Sequence, residues 1–231
     1  MPLPVTLAIE GAAPVSGLWQ APADASAALV LAHGAGAGMT HRAMAGLADG
    51  LAARGIATLR FQFPYMERGA ARPDPPAIAH AAVRAAVGEA AARAPHLPLF
   101  AGGRSFGGRM TSQAQAIRPL PGVRGLVFFA FPLHPAGKPS DARAEHLADV
   151  ALPMLFVQGD RDALADLALL RALVDRLGPR ATLELVADAD HAFHVRARSG
   201  RRDPEVLAAI LDRAAGWMAA ATPAPSRTPP A

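Results

Sequence analysis

Short, largely apolar runs of strand length recur along this chain at residues 27–32 (AALVLA), 56–61, 97–101, 123–131 (VRGLVFFAF), 152–158 (LPMLFVQ) and 181–187. A run without polar alternation belongs to a strand buried on both faces, the usual situation in a parallel sheet. Between the runs lie stretches with helical character at 41–54, 77–94, 109–117, 163–177 and 204–220, punctuated by Gly55 and Pro119. Strand and helix in alternation require crossover connections, so the prediction is an α/β fold, with a mostly parallel sheet and helices on both faces. The opening residues differ: Val5, Leu7 and Ile9 alternate with Thr6 and Ala8, and residues 15–20 form a second short run. That pattern predicts an antiparallel hairpin at a sheet edge. Asp203, beside Pro204, is the expected N-cap of the last helix.

The stretch 97–110, LPLFAGGRSFGGRM, carries the chemistry. Gly103, Ser105 and Gly107 match G-x-S-x-G, a nucleophile elbow, in which a buried strand turns sharply into a helix and holds the serine at the apex. The glycines are required because strand and helix approach closely there, and a side chain at Gly103 or Gly107 would collide with a neighbour. A serine hydroxyl needs a base to act as a nucleophile at neutral pH. His191 follows the last strand and Asp162 the strand before it, which gives the order nucleophile, acid, base along the chain. Asp160 is the alternative acid and His194 the alternative base; Asp160 is expected to close the turn after Gly159, and His194 to pack beside Phe193. The oxyanion donors are expected from the backbone N–H of Phe106 and of Ala35, in the turn after residues 27–32. Ser105, the His33 loop, Asp162 and His191 all fall beyond the carboxyl ends of strands, where parallel sheets collect their active groups. Candidate walls of a substrate pocket are Phe63, Pro64 and Tyr65 together with Pro132, Leu133 and His134, the alternative being ordinary loop packing. His33 is a further pocket candidate, its other role being to hold its own loop in place. Lys138 is the one lysine near these loops that offers a cation to a substrate carboxylate.

Other function classes are disfavoured. The net charge is +4, nearly all of it arginine, but the arginines are dispersed and aromatics are only 5% of residues, so no nucleic-acid face is expected. The cluster Arg196, Arg198, Arg201 and Arg202 is read as a solvated loop. The glycines 34–38 follow a buried strand, yet Met39 stands where G-x-G-x-x-G needs its last glycine, and Arg60 to Gln62 supply no acidic partner for a ribose. No cofactor and no metal are therefore expected, the histidines being scattered. With 52% apolar and 18% charged residues the chain is globular, and no apolar run approaches the roughly 18 residues that cross a bilayer. The absence of cysteine and of a secretory signal in MPLPVTLAIEG predicts a cytoplasmic protein. Residues 1–221 are expected to form one domain, and the Pro-rich residues 222–231 a disordered tail.

At this point the sequence resembles the α/β-hydrolase superfamily across residues 1 to about 220. The segments HGAGAGMTH, FQFPYME, GGRSFGGRM, FFAFPLHPAGKP, FVQGDRDAL and DHAFHV are similar, in order, to the small hydrolase-like, dienelactone-hydrolase-like proteins typified by the third subunit of the NSL histone acetyltransferase complex and its bacterial relatives. The resemblance implies an eight-stranded sheet and Ser105, Asp162 and His191 as a catalytic triad. About twenty residues separate Phe131 from Leu152, too few for a large lid domain. The expected function is hydrolysis of small ester or thioester substrates through an acyl-enzyme. The alternative is a non-catalytic interaction scaffold that keeps the fold.

Overall fold

The computed structural model describes residues 1–222. Eight strands form one sheet: β1 (Leu3–Leu7), β2 (Val15–Gln20), β3 (Ala27–Ala32), β4 (Ile56–Phe61), β5 (Leu99–Arg104), β6 (Val123–Phe129), β7 (Met154–Gly159) and β8 (Ala181–Val186), in the spatial order β1-β2-β4-β3-β5-β6-β7-β8. β1, with its alternating pattern, pairs antiparallel with β2 at the edge, and β2 pairs antiparallel with β4; every other pairing is parallel. The continuous apolar runs are buried on both faces, as in β3, where no residue is exposed.

Helices α1 (Arg42–Ala52), α2 (Pro64–Glu67), α3 (Pro76–Arg93), α4 (Phe106–Ile117), α5 (Leu167–Leu177) and α6 (Asp203–Ala220) complete the layers. Successive strand residues point to opposite faces. Ala28, Val30, Phe128 and Phe156 therefore meet Val83, Val87 and Met110 of α3 and α4 and Leu170 of α5, while Leu29, Leu31, Val127 and Leu155 meet Leu47 and Leu51 of α1 and Ile210 and Leu211 of α6. Each such large side chain stabilises the fold by about 1.5–3 kcal/mol through removal from water. No helix among the described residues is long and apolar enough to cross a membrane.

Two short helices lie outside the predicted helical stretches, and one expected cap is corrected. The loop after Phe63 contains the short helix α2, opened by Pro64 at its first position, and residues Ala142–Asp149 form a 3-10 helix packed near α4. Asp203 is the first residue of α6, not its cap; its carboxylate accepts the Val195 N–H at 3.0 Å, and Glu205 accepts the Arg202 N–H at 3.1 Å instead. Residues 223–231 of the expected tail lie outside the described residues.

β3 is flanked by β4 on one side and β5 on the other, so the chain reverses its direction of travel across the sheet there. Loops leaving the ends of two such strands part and leave a crevice. The turns after β3 and β5 face that crevice.

Candidate active site

Ser105 sits between the last residue of β5 and the first of α4 with φ 51° and ψ −117°, a conformation that side chains rarely adopt. Holding a non-glycine residue there costs about 1–3 kcal/mol, which the surroundings must offset. Its N–H donates to the Phe129 carbonyl at 2.9 Å, which ties the turn to β6. A Cβ at Gly103 would lie 2.3 Å, and one at Gly107 2.4 Å, from the Ala32 carbonyl oxygen at the end of β3. The glycines allow β3, β5 and α4 to converge, and that convergence lifts the serine to the edge of the sheet.

His191 and Asp162 meet the serine from the loops after β8 and β7. The Ser105 hydroxyl lies 2.9 Å from His191 Nε2, and His191 Nδ1 lies 2.7 Å from Asp162 Oδ2. A buried carboxylate only accepts, so the proton sits on Nδ1 and the Nε2 lone pair is directed at the serine hydroxyl. The Asp162 side chain is fully buried, and it is saturated with donors: Gln158 Nε2 shares Oδ2 with the imidazole, and the Leu164 N–H donates to Oδ1 at 2.8 Å. Arg104 Nη2 donates to the His191 carbonyl at 3.3 Å; burial pushes this guanidinium below its ordinary value, against the pull of Asp190 and Asp162. The alternatives lie elsewhere. Asp160 is exposed and makes its backbone bond to Val186, and His194 pairs with Asp203 at 2.8 Å on the surface rather than packing beside Phe193.

Ala35, Ser105 and Phe106 line one cleft of about 390 Å³, whose walls also include Pro73, Met110, Pro132 and Leu164. Among the described residues neither the Ala35 nor the Phe106 N–H has a partner within the protein. The turn carrying Ala35 is braced from below. Tyr65 donates its hydroxyl to the Ala35 carbonyl at 2.6 Å, and burial pushes that phenol up to about 12, so it stays a donor. His33 Nδ1 donates to the Gly34 carbonyl at 2.7 Å and Nε2 accepts the Phe63 N–H at 3.0 Å; burial pulls this imidazole down to about 4 and keeps it neutral.

Of the expected pocket walls Pro132 borders the cleft, and the others are corrected. His33, Phe63, Tyr65, Leu133 and His134 are all buried and none borders the cleft. The aromatic residues turn inward, and Phe63 and Tyr65 stand edge-to-face behind Phe106 with ring centroids 5.3 and 6.3 Å away. His134 accepts the Asp166 N–H at 2.8 Å and donates to the Pro135 carbonyl, which fixes the loop before α5. Lys138 is exposed and away from the cleft. Residues that the sequence reading passed over include Gln158, which lies four positions before Asp162 at the end of β7, and Arg109, four positions after Ser105 on α4; both spacings were visible. Among the described residues no group of three or more His, Asp or Glu is placed to hold a metal ion.

A family profile described as alpha/beta hydrolase domain matches residues 25–219. Among solved structures the chain is similar to a dienelactone hydrolase from Anabaena variabilis (21% identity, 95% of this chain and 97% of that one, TM-score 0.77). It is likewise similar to a Xanthomonas campestris protein described as an α/β serine hydrolase without lid (23%, 94% and 94%, TM-score 0.72) and to an esterase from Pyrococcus furiosus (16%, 95% and 92%, TM-score 0.72). At these identities the likeness establishes the fold: an eight-stranded, mostly parallel sheet with helices and no lid.

Proposed function

Because the chain belongs to the alpha/beta hydrolase domain family, we propose that it is a serine hydrolase that cleaves small ester or thioester substrates through Ser105, His191 and Asp162. The observation that carries this reading is the unbroken line of contacts from the strained serine to His191 at 2.9 Å and on to the buried Asp162 at 2.7 Å. A merely structural serine has no need of an imidazole nitrogen 2.9 Å from its hydroxyl.

In this reading Ser105 Oγ attacks the substrate carbonyl as its proton passes to His191 Nε2, and Asp162 stabilises the imidazolium that forms. The carbonyl π electrons move to oxygen, and the unpartnered N–H groups of Phe106 and Ala35 receive that oxyanion; each such donor is worth about 10² to 10³ in rate. Collapse expels the alcohol or thiol, protonated by His191, and leaves an acyl-serine. Water attacks the acyl-serine in turn, giving its proton to His191, which returns it to Ser105 Oγ as the Oγ–acyl bond breaks and the acid leaves. A cleft of about 390 Å³ with no lid suits small acyl groups. The narrower kinship with the NSL-subunit-like hydrolases is supported by the six sequence segments, the cytoplasmic location by the cysteine-free sequence, and the extent of the domain, 1–221, by the single sheet.

Turnover of p-nitrophenyl acetate and butyrate tests the reading. Measurable hydrolysis is expected, with loss of at least about 10³ in kcat for Ser105→Ala and His191→Ala alike, since the two act as a unit. A folded wild-type protein that hydrolyses neither ester refutes it.

A further inference from the structure

Two arginines on the cleft wall lack a counter-charge. Arg109 and Arg143 both border the cleft that opens on Ser105, and among the described residues neither guanidinium forms a hydrogen bond or an ion pair. Arg109 Nε is buried without a partner, while its two terminal nitrogens, equally unpartnered, remain accessible. The third charged residue of the cleft, Asp74, gives Oδ1 to Arg68 at 2.5 Å, and its Oδ2 is buried without a partner. Two unpaired cations, against one carboxylate already bonded to Arg68, thus border the space that a substrate of Ser105 would fill.

The fold holds them there. Arg109 stands one helical turn beyond Ser105 on α4, a rise of about 6 Å. Helical side chains lean towards the N-terminus, so its guanidinium is carried back towards the serine. Arg143 lies in the opening turn of the 3-10 helix Ala142–Asp149, where residues three apart eclipse one another, so it shares a face with His146. His146 Nε2 lies 2.7 Å from Ser112 Oγ, which fastens that face to α4 three residues beyond Arg109. Burial, followed by the Arg109 charge, pulls His146 down to about 4, so at neutral pH it acts as an uncharged clasp. Burial and the charge of Arg143 also push the Arg109 guanidinium below its ordinary value.

A planar guanidinium with free terminal nitrogens is matched by the paired oxygens of a carboxylate, which accept two parallel hydrogen bonds. We propose that Arg109 and Arg143 bind a carboxylate carried by the substrate, so that the natural substrate is an ester or thioester bearing a free carboxylate a short chain away from the scissile carbonyl. Half-esters of short dicarboxylic acids have this form. The inference rests on the serine hydrolase reading above for the position of the reacting carbonyl.

Two measurements on the full chain test it. Calorimetric titration of the Ser105→Ala protein with monoethyl glutarate and with diethyl glutarate reads binding without turnover. The half-ester should bind at least about tenfold tighter, and Arg109→Gln or, on a separate element, Arg143→Gln should each remove most of that advantage, Arg109→Lys less of it. Added salt should weaken the preference. No preference, or one that survives both glutamine changes, overturns the proposal. In the wild-type protein the ratio of kcat/KM for mono-p-nitrophenyl glutarate over p-nitrophenyl butyrate should exceed about ten. A ratio near one with turnover of both esters overturns the carboxylate proposal alone. Tight binding of the half-ester through the two arginines, with turnover of neither ester, supports it and overturns the hydrolase reading instead.

Discussion

Replacing Asp162 by Asn removes one charge and turns one acceptor into a donor, and the surroundings decide which oxygen is lost. Three donors converge on this carboxylate: His191 Nδ1 and Gln158 Nε2 on Oδ2, and the Leu164 N–H on Oδ1. If the new amide group faces Leu164, two donors confront each other in a buried place, at a cost of about 1–3 kcal/mol. If it faces Oδ2's present position, Gln158 can flip and offer Oε1, which is buried and unpartnered in the native protein. The second arrangement keeps the Leu164 bond and only exchanges one unpartnered Gln158 atom, Oε1, for the other, Nε2, but it obliges His191 Nδ1 to accept, so the ring proton moves to Nε2 and points at Ser105. The base is then blocked by its own tautomer. The expected loss in kcat is about 10⁴, or about 5 kcal/mol of barrier. Steady-state hydrolysis of p-nitrophenyl acetate gives the rate, and nitrogen NMR of the His191 ring shows which nitrogen carries the proton. A loss below about tenfold, or a ring still protonated at Nδ1, would refute the reasoning.

Gly107→Ala should destabilise the protein by at least about 3 kcal/mol, because the added carbon meets the Ala32 carbonyl at 2.4 Å and backbone cannot give way cheaply; Gly36→Ala, with nothing within 4 Å, should stay within about 0.5 kcal/mol in urea unfolding. Tyr65→Phe frees the Ala35 carbonyl and loosens its N–H, so kcat should fall about fivefold, the equivalent of one hydrogen bond of about 1 kcal/mol, and unchanged kcat would exclude this bracing role. Acid should weaken the fold through His33: its folded-state value is about 4 against an ordinary 6.5, so the unfolded chain takes up the proton first. That contribution is complete above pH 6.5 and is lost as pH falls to about 4, amounting to about 3 kcal/mol; an NMR titration placing His33 near 6.5 would contradict it.

The sheet was legible because its central strands are buried on both faces, which forces unbroken apolar runs such as residues 27–32 and 152–158. The serine turn was legible for a steric reason: close convergence on Ala32 admits only glycine at 103 and 107. Of the cleft walls only Pro132 was legible. Phe63, Tyr65 and Leu133 are apolar and sit in loops, and burial rewards them for turning into the core, so the wall passes to Pro73, Met110 and Leu164. His194 follows a residue at φ 61°, and this left-handed step at Phe193 sends the two side chains apart, one into the core and one to Asp203. The 3-10 helix at Ala142–Asp149 was missed because ARAEHLAD has neither the length nor the continuous apolar stripe of an ordinary helix. The two arginines went unnoticed because their lack of partners is a property of the folded neighbourhood, invisible in a string.

The central claim is that Ser105 is an activated nucleophile. Mass spectrometry of the purified protein after treatment with a fluorophosphonate probe tests it most directly. The account predicts a single phosphonyl adduct on Ser105, absent in Ser105→Ala and strongly slowed in His191→Ala. A folded wild-type protein that remains unmodified, or an adduct on another residue with Ser105 untouched, would contradict it.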